Sequence, residues 1–495
     1  MLQQLKFNYF CKKTAMPRNR RSFPILEKVK IIDAGSEGKA IARVENQVIF
    51  VPFVVPGDVI DIRITKSRKS YKEGKAVKFH KYSDLRIEPK CSHFGVCGGC
   101  KWQNLSYEQQ LVYKQKQVKD SLERIAKVEF PEISPILPAE DIFYYRNKLE
   151  YSFSNRKWLS QFSKEDDHSN TNFNGVGFHI PGIFDKIVDI EHCYLQAEPS
   201  NKIRLAVKDY AIKNNLTFYN VRKWVGFMRN LVIRTSNTGD LMVIMVVGEP
   251  DRERIHGLMD FIKEQFPEIT SLFYVVNGKQ NDDISDQTFV HFHGKQLNTE
   301  KMTPALAPET NLEFRIGPIS FFQTNSEQAN NLYNLAAEFA GFKGHETVYD
   351  LYTGTGTIAN FIAGSVKKVI GLEYVPSAVE DAKKNAKLNN IKNTSFYAGT
   401  IEKVLNNEFV QKNGKPEIVI SDPPRAGMHQ KVIDQLNEVL PKKIVYISCN
   451  PATQARDIAL LDENYKVTKV KPVDMFPHTH HVENIVLLEK RMKLN

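Results

Sequence analysis

The sequence predicts an α/β protein in which a small β-barrel and a central α+β domain precede a doubly wound parallel sheet. Three observations predict this order. Short alternating strands fill residues 21–82, mixed helix and strand patterns fill 83–305, and strands alternate with helices from 306 to 495. Closely spaced short strands are typical of barrels, whereas strands alternating with helices are typical of parallel sheets. A length of 495 residues fits several domains.

The composition indicates a basic protein with an anionic partner. The 68 Lys and Arg residues outnumber the 57 Asp and Glu residues, which gives a net charge of +11. This surplus favours nucleic acid, although charge alone does not prove it. No apolar run approaches the roughly 20 residues of a membrane span, and residues 1–20 lack the apolar core of a secretory signal. We therefore expect a cytoplasmic protein, no membrane contact and a disordered basic arm at 1–20, with Met16 as an alternative start.

The first predicted domain, residues 21–82, has the pattern of a small β-barrel. Alternating runs at 27–33, 39–44, 47–52 and 58–65 are separated by glycine or Pro-Gly turns. The segment holds thirteen Lys and Arg against seven Asp and Glu, and basic side chains surround Tyr71. Such interleaving suits a surface that follows phosphates and stacks on bases, and it also suits a solvated basic hairpin. The segment resembles a TRAM domain, a β-barrel appended to RNA-modifying enzymes, which favours RNA.

The central segment, residues 83–305, carries helical periodicity at 107–128 and strand-like runs at 148–153, 175–178, 230–235, 242–247 and 271–276. Three cysteines, Cys91, Cys97 and Cys100, lie in a glycine-rich loop, and Cys193 follows far downstream. Without secretion, clustered cysteines favour metal over disulfides. Thiolates at this spacing bind zinc or an iron–sulfur cluster, and the spacing does not choose between them. We expect no role for Cys11 in the basic arm.

The third segment, residues 306–495, predicts a cofactor loop after its first strand. Strands are predicted at 347–352, 368–373, 394–397, 417–421, 443–448 and 482–490. Gly354 and Gly356 follow the first strand, and Glu373 ends the second, 17 residues beyond Gly356. An acidic residue there can accept both hydroxyls of a ribose. A third glycine is missing, so S-adenosylmethionine fits better than a dinucleotide. A nicotinamide enzyme and a non-binding α/β domain are the alternatives.

Two further segments lie at the expected ligand edge of this sheet. The fourth strand ends in Asp422 and two prolines, which hold the backbone rigid where ligands bind in such sheets. A rigid loop without chemistry is the alternative. Upstream, the sequence Phe-Phe-Gln-Thr-Asn at 321–325 offers a lid of aromatic rings and an amide, and a structural hairpin explains it almost as well.

The C-terminal part supplies a thiol and a carboxylate. The fifth strand delivers Cys449 into an Asn-Pro turn, where a thiol beside a cofactor loop indicates a nucleophile rather than a small buried side chain. Glu483 begins the last strand, where desolvation would raise its proton affinity and suit it as a base. The histidines at 478, 480 and 481 lack a carboxylate ligand of suitable spacing, so we expect an active-site loop or polar surface there rather than a metal site.

A thiol, a methyl donor and a base together match one reaction. The C5 carbon of uracil is a poor nucleophile, and a thiolate that adds at C6 places electron density on C5. C5 can then attack the methyl group of a sulfonium. Removal of the C5 proton releases the thiol. Cys449, a donor site and Glu483 are the groups that this chemistry requires.

The motifs Phe-Phe-Gln-Thr-Asn, Ser-Asp-Pro-Pro-Arg-Ala-Gly, Ser-Cys-Asn-Pro-Ala-Thr and His-Val-Glu in combination resemble those of the RNA uracil-5-methyltransferase family, specifically its iron–sulfur branch that acts on 23S ribosomal RNA. The resemblance covers almost the whole chain and implies a Rossmann-like methyltransferase domain. It implies that Cys449 is the nucleophile and Glu483 the general base. It also implies four contacts to S-adenosylmethionine, from Gln323, Tyr352, Glu373 and Asp422. Asp422 would in addition help to orient the target base.

The same resemblance implies a 4Fe–4S cluster held by Cys91, Cys97, Cys100 and Cys193. Two departures from the family pattern are visible. Thr353 stands where the family often has cysteine. Thr400 follows the third strand where the family often has an acidic residue, so an adenine contact by Thr400 is not implied.

The implied partner is 23S ribosomal RNA, and we expect a monomer without an obligate protein partner. Three alternatives remain. A tRNA uracil-5-methyltransferase would use the same chemistry. An RNA cytosine-5-methyltransferase usually has a cysteine in an Asp-x-Pro-Cys motif, and the Asp-Pro-Pro-Arg sequence at 422–425 has none. A non-catalytic RNA-binding protein on a degenerate fold is opposed by the joint presence of Cys449, Glu483, Asp422 and Glu373.

Overall fold

The computed structural model describes residues 23–159 and 172–492. Cys11 and the predicted basic arm at 1–20 lie outside the described residues. Along the described part of the chain, no helix combines the length and the apolar composition that a bilayer-spanning helix requires.

A closed barrel forms the N-terminal region, as predicted. Its strands are β1 (Ile25–Ala34), β2 (Lys39–Val44), β3 (Gln47–Pro52), β4 (Val59–Ser67) and β5 (Tyr71–Lys81). They pair in the order β1-β2-β3-β5-β4, and the pairing of β1 with β4 closes the barrel. Because side chains alternate along each strand, Ile31, Ile49, Ile60 and Ile62 all fill the interior and are fully buried.

One buried carboxylate ties the barrel to the next segment. Asp58 accepts hydrogen bonds from the backbone N–H groups of Val55 (2.7 Å) and Ser83 (2.9 Å). The guanidinium of Arg86 donates to the same carboxylate at 2.7 Å. A buried charge is tolerated only when it is paired in this way. The contact fixes the start of the segment that carries Cys91 against the end of the barrel.

The first helix leads from the cysteine loop to the C-terminal sheet. Helix α1 spans Tyr107–Ser121 and is capped by Ser106, whose hydroxyl accepts from the backbone N–H of Gln109. A π-helical turn, Leu122–Ala126, follows it. Lys114 of α1 is fully buried and donates to Asp474 at 2.6 Å. This ion pair and the apolar side of α1 hold the helix on the C-terminal sheet.

The central region is a seven-stranded sheet with two helices. Its strands are β6 (Lys148–Ser154), β7 (Gly175–Ile180), β8 (Ile183–Asp189), β9 (Met228–Thr235), β10 (Leu241–Val247), β11 (Ser271–Val276) and β12 (Phe289–Gly294), and its helices are α2 (Ser200–Lys213) and α3 (Arg252–Gln265). The strands lie in the order β12-β11-β10-β9-β6-β7-β8. Every residue of β10 is buried, which explains why it is apolar throughout rather than alternating.

The C-terminal region begins with a hairpin, β13 (Asn298–Met302) and β14 (Leu312–Ile316), followed by α4 (Ser326–Ala340). The strands of the sheet are β15 (Thr347–Leu351), β16 (Lys368–Glu373), β17 (Thr394–Ala398), β18 (Ile418–Ser421), β19 (Lys443–Ser448), β20 (Tyr465–Val473) and β21 (Glu483–Lys490). Its helices are α5 (Thr357–Ile362), α6 (Pro376–Leu388), α7 (Ile401–Val404), α8 (Asn407–Asn413), α9 (Gln430–Val439) and α10 (Pro451–Leu461).

This sheet confirms the predicted doubly wound fold. The strand order is β17-β16-β15-β18-β19-β21-β20, and β21 runs antiparallel to both of its neighbours. The chain moves outward from β15 to β17 and returns to β18 on the other side of β15. Ligands in such sheets bind at the carboxyl ends of the strands where the order reverses. Because β21 is antiparallel, its first residue, Glu483, lies at this same edge.

Candidate active site

The loop after β15 turns through three residues in the left-handed region. Tyr352 has φ of 66°, Gly354 has φ of 56° and Gly356 has φ of 76°. A Cβ at Gly356 would lie 2.7 Å from the Cβ of Ala382, so glycine lets α6 pack directly on the loop. A Cβ at Gly354 would meet nothing within 4 Å. Helix α6 therefore supports the loop at Gly356, whereas the loop backbone at Gly354 is open for a ligand to approach.

Glu373 joins this loop to the end of β16. One carboxylate oxygen accepts from the backbone N–H of Gly354 at 3.0 Å, and the other accepts from the N–H of Val375 at 2.9 Å. The two hydrogen bonds fix the carboxylate in place, and each oxygen keeps a second lone pair. A fixed acceptor beside an open glycine suits the two hydroxyls of a ribose. The donor chemistry therefore fits the adenosine part of S-adenosylmethionine.

Two aromatic side chains stand exposed at this edge. Phe321 is 71% exposed, and Tyr374, next to Glu373, is 67% exposed. The hydroxyl of Ser320 donates to Asp381 of α6 at 2.9 Å, which holds the segment before α4 against the same helix that Tyr374 precedes. Large exposed aromatic side chains beside a fixed carboxylate are typical of a ligand site. A flat aromatic ligand such as adenine matches them.

Gln323 lies close to a buried tyrosine beside the carboxylates of the site. Tyr333 of α4 is buried, and the nearby side chain of Gln323 favours its ionised form. Burial, followed by the charges of Asp422 and Asp350, raises the pKa of Tyr333 well above its usual range. The hydroxyl therefore stays protonated and remains a donor. Tyr333 was not among the predicted residues, because it lies inside helix α4 and outside the motifs.

Tyr352 follows β15 at the start of the cofactor loop, and its side chain is largely withdrawn from solvent. Burial raises the pKa of Tyr352 to about 12, so its hydroxyl stays protonated. Asp350, two residues earlier in β15, accepts hydrogen bonds from the Thr353 hydroxyl and from the N–H of Ala359 at 3.0 Å. This buried acid, also not predicted, shapes the cofactor loop from inside.

The sheet brings Cys449 and Glu483 opposite each other. The antiparallel register of β19 and β21 pairs Ser448 with Asn484. Continued by one residue, it places Cys449 directly across from Glu483. On the other side of β19, Asp422 follows β18, and its N–H donates to the carbonyl of Leu351 at 3.4 Å. The two predicted catalytic residues and one predicted cofactor contact therefore meet at one point of the edge.

Burial raises the pKa values of the three titratable side chains at this point, so they hold their protons more strongly than exposed groups do. Glu483 is 5% exposed, and burial together with the nearby Asp422 carboxylate raises its pKa to about 8. Burial raises the pKa of Asp422 to about 7. For Cys449, burial and then the two carboxylates raise the pKa to about 11. The resting thiol is therefore protonated, and Glu483 holds or releases a proton close to neutral pH.

Arg425 is the positive group of this site. Its guanidinium lowers the pKa of both Cys449 and Glu483, against the larger effect of burial. The carbonyl of Arg425 accepts from the side chains of Asn450 and Thr453, both at 3.1–3.2 Å, which ties the loop after β18 to the turn that carries Cys449. Arg425 lies within a recognised motif, but its charge effect depends on a proximity that the sequence does not reveal.

The loop before Glu483 is anchored by the N-terminal half of the chain. The carbonyl of His478 accepts from the N–H groups of Lys101 (2.8 Å) and Trp102 (3.1 Å). Its own N–H donates to the Gln110 side chain at 2.9 Å, and its ring stacks on Phe143 at 4.3 Å. Burial lowers the pKa of His478 and His480 to about 4, so both rings are neutral. His478 therefore holds the loop in place.

The four predicted ligand cysteines line one pocket, together with Gln103 and several apolar side chains. The N–H of Gly99 donates to the sulfur of Cys97 at 3.4 Å, and the Gln103 amide donates to the sulfur of Cys100 at 3.2 Å. Burial raises the pKa of Cys97 to about 11 and of Cys100 to about 12, and it also raises the pKa of Cys91 and Cys193. The pocket thus gathers thiols from two distant segments.

This pocket does not by itself establish a metal centre. Among residues 23–159 and 172–492, no three His, Cys, Asp or Glu side chains form a group that could hold a metal ion. The expectation of an iron–sulfur domain is therefore not supported by the side-chain geometry.

Comparison with known proteins bears on both ends of the chain. Residues 296–491 match the family described as tRNA (Uracil-5-)-methyltransferase, and residues 27–77 match the TRAM domain. An uncharacterized RNA methyltransferase of Bacteroides thetaiotaomicron is 56% identical over 92% of this chain and 100% of its own length. A second one, from Porphyromonas gingivalis, is 50% identical over 93% of this chain and 99% of its own length.

A solved structure is similar over almost the whole chain. The Pyrococcus abyssi tRNA (uracil-54, C5)-methyltransferase, in complex with S-adenosyl-L-homocysteine, is 29% identical. The match covers 93% of this chain and 100% of that chain, with a TM-score of 0.71. The barrel, the central sheet and the C-terminal sheet therefore occur together in another protein with a related sequence.

Proposed function

We propose that this protein methylates C5 of a specific uridine in 23S ribosomal RNA through a covalent intermediate. The chain belongs to a family of RNA methyltransferases, and its C-terminal region matches the tRNA (Uracil-5-)-methyltransferase family. One observation carries the proposal. The register of β19 and β21 sets Cys449 across from Glu483 at the ligand edge of the sheet. A nucleophile and a base at one point are what methylation of uracil C5 requires.

Different residues of the chain would contact different parts of S-adenosylmethionine. Glu373 would accept the ribose hydroxyls, the open surface at Gly354 would face the ligand, and Gln323 and Asp422 would complete the site near the reacting atoms. The exposed rings of Phe321 and Tyr374 suit the adenine. S-adenosylmethionine, when bound, supplies an electrophilic methyl group on a sulfonium.

Cys449 acts first on the RNA. Its thiolate adds to C6 of the uracil ring, forming a C–S bond and moving the C5=C6 electron pair onto C5 and O4. With a pKa of about 11 the thiol must first pass its proton to water or to the Asp422 carboxylate, and the Arg425 guanidinium favours the thiolate that remains. Asp422, with a pKa of about 7, can donate or accept a hydrogen bond to the base that it helps to orient.

Glu483 acts last. After C5 has taken the methyl group, it still carries its original proton. The Glu483 carboxylate removes that proton, the electron pair re-forms the C5=C6 bond, and the sulfur of Cys449 leaves as a thiolate. A carboxylate with a pKa of about 8 is a far stronger base than an exposed one, because burial favours its protonated form.

We further propose that Cys91, Cys97, Cys100 and Cys193 hold a 4Fe–4S cluster. Their shared pocket and the N–H groups directed at two of the sulfurs support this assignment. Thiolates around one ion sit about 2.3 Å from it and close to one another. A cluster places its own iron and sulfide atoms between its ligands, so it needs a wider arrangement than a single ion. The methylation chemistry requires no redox step from it.

The RNA target has a second candidate. The similar Pyrococcus abyssi enzyme is named for uridine 54 of tRNA, so a tRNA uridine is the alternative substrate for this chain. The basic barrel and the cysteine pocket favour 23S ribosomal RNA through the family branch that they resemble. The proposed setting is the cytoplasm, and the proposed active form is a monomer.

Mass mapping of 5-methyluridine distinguishes the substrates. Ribosomal and transfer RNA would be compared between cells with the intact gene, cells without it and cells that carry Cys449→Ala. We expect one 23S fragment to lose its 5-methyluridine in both altered strains, while tRNA is unchanged. Loss confined to tRNA would establish the alternative. Unchanged 5-methyluridine in both RNA classes would overturn the proposed function.

A further inference from the structure

An edge of the central sheet carries exposed aromatic rings among basic side chains. β8 is the outermost strand of that sheet, and Phe184 on it is 66% exposed. Trp224, in the turn before β9, is 51% exposed. We define the β8 surface as six residues: Arg156, Trp158, Phe184, Lys186, Arg222 and Trp224. The methylation chemistry uses none of them.

A buried carboxylate holds two arginines of this surface in place. Asp185 is 3% exposed, and its Oδ2 accepts from Nε of Arg222 at 2.6 Å and forms an ion pair with Arg156, whose Nε lies 2.9 Å away. Because side chains alternate along β8, Asp185 points inward while Phe184 and Lys186 point outward. A buried carboxylate therefore anchors both arginines, of which Arg222 lies beside the exposed Phe184 ring.

Two aromatic rings of the β8 surface each lie close to a basic side chain. The guanidinium of Arg222 lies 5.9 Å from the ring centre of Phe184, and the ammonium of Lys186 lies 5.3 Å from that of Trp158. Such a pair occupies one face of a ring, and Phe184 nevertheless stays 66% exposed. A planar base can therefore stack on Phe184 while a neighbouring phosphate meets Arg222.

Trp224 is held in a conformation that a bulky residue rarely adopts. Its φ is 55°, and it sits in a tight turn where its N–H donates to the carbonyl of Asn220 at 2.7 Å. The left-handed region costs a bulky residue on the order of 1 kcal/mol or more. Half of the ring is exposed, so little burial offsets this cost. Strain at an exposed aromatic tip is typical of a binding residue.

The β8 surface is connected to the active site through the cysteine loop. A Cβ at Gly98 would lie 2.8 Å from the carbonyl of His179, so this loop packs directly on the turn between β7 and β8. The same loop ends at Lys101 and Trp102, whose N–H groups hold His478 before Glu483. An RNA that enters the active site and continues along this side of the molecule would meet β8.

We propose that the β8 surface binds a single-stranded stretch of the substrate RNA away from the methylated uridine, with bases stacked on Phe184 and Trp224. The proposal rests on the proposed function, because it takes RNA as the substrate. Exposed rings interleaved with fixed cations suit unpaired bases on a phosphate backbone. The buried acid beneath this surface, Asp185, is already paired with two of its arginines.

The test measures binding of an unstructured 12-nucleotide RNA by fluorescence anisotropy. Stacking contributes about 1–3 kcal/mol per base, so Phe184→Ala combined with Trp224→Ala should weaken Kd at least tenfold. Phe184→Tyr keeps a ring and should stay within about twofold of the unaltered protein. Leu460→Ala removes an exposed apolar side chain from α10 and serves as the matched control. Lys186→Gln should reduce the salt dependence by about one counterion.

Two readouts separate this proposal from the proposed function. Thermal unfolding checks that each variant is folded, and all altered side chains are exposed enough for this to be expected. If the double variant binds the RNA within twofold of the unaltered protein at every salt concentration, the β8 surface does not bind RNA and the proposal is overturned. If binding weakens as expected but no 5-methyluridine forms in 23S or transfer RNA, the proposed function fails while the RNA surface stands.

Discussion

Two regions of the described structure hold cysteines whose thiols are made hard to ionise by burial: the sheet edge with Cys449, and the central pocket with Cys91, Cys97, Cys100 and Cys193. Cys449 at the sheet edge has a pKa of about 11, and Cys97 in the central pocket also has a pKa of about 11. Burial is the main cause in both regions. The raised pKa of a thiol therefore does not reveal its role, and the surrounding groups decide it.

The surroundings differ in charge and in what they leave open. Cys449 faces two carboxylates and one guanidinium at the edge where ligands bind. The four pocket cysteines face one another, apolar side chains and two N–H donors. A site that moves protons needs titratable neighbours, whereas a site that holds a metal group needs converging sulfurs. His478 connects the two regions, because it is held by the cysteine loop and precedes Glu483.

The largest expected effect is the loss of methylation activity when Cys449 at the sheet edge is replaced. Cys449→Ala removes the atom that attacks C6, so methylation should fall by roughly a thousandfold or more. Binding of S-adenosylmethionine should be unchanged, because Glu373 and the loop around Gly354 are intact. Methyl transfer from labelled cofactor and calorimetric binding measure the two quantities. Residual turnover above a few per cent would remove Cys449 from the mechanism.

The second effect is on iron content and thermal stability, which should depend on the pocket cysteines and not on Cys449. Cys97→Ser should abolish the visible absorbance of an iron–sulfur cluster and lower the thermal unfolding midpoint, since the pocket joins distant segments of the central region. Cys449→Ser is the matched control and should keep both. Iron content and calorimetry provide the measurements. If Cys97→Ser protein lacks iron yet unfolds and binds RNA as the unaltered protein does, the pocket has no folding or docking role.

The pH dependence of turnover should report on the carboxylate that faces Cys449. Because the pKa of Glu483 is about 8, the base is mostly protonated at pH 6 and mostly ionised at pH 9. The rate of the proton-removal step should therefore rise about tenfold for each pH unit below pH 8 and then level off. Quenched-flow measurement of covalent complex breakdown would follow it. A rate that is flat between pH 6 and pH 9 would exclude Glu483 as the base.

The smallest effect concerns stability. In the unfolded chain Glu483 ionises near its ordinary pKa of 4.5, whereas in the folded protein it ionises only near 8. The unfolded state therefore binds fewer protons between these values, and this group makes stability fall as pH rises from about 4.5 to 8. Glu483→Gln removes that loss. The unfolding midpoint of the variant, relative to that of the unaltered protein, should therefore rise as the pH increases over the same interval. A constant difference would show that Glu483 is not buried as described.

Much of the fold was predictable from the sequence, because burial leaves a periodic pattern. The barrel and the doubly wound sheet followed from strands bounded by glycine and proline. Strand β20 was missed, because lysines and Pro472 interrupt its apolar positions at the edge of the sheet. The packing of α1 on the C-terminal sheet was also not predicted. It depends on the ion pair of Lys114 with Asp474, two residues far apart in the chain.

The candidate site was partly predictable for a similar reason. Cys449, Glu483 and Glu373 lie at strand ends, and strand ends of one sheet share an edge. Tyr333 and Arg425 act through proximity in space, which no local pattern encodes. The support that His478 gives to the loop before Glu483 comes from residues more than 350 positions earlier in the chain. Such contacts are set by the packing of whole domains.

The central claim, that Cys449 and Glu483 act as nucleophile and base on one uridine, is tested most directly by Glu483→Gln. This variant would be incubated with 23S ribosomal RNA and S-adenosylmethionine and analysed on a denaturing gel. We predict a stable protein–RNA complex in which the uridine is already methylated and is bonded to the peptide that contains Cys449. The complex should be absent when Cys449→Ala is added. Free 5-methyluridine RNA formed at the unaltered rate, with no covalent complex, would contradict the account.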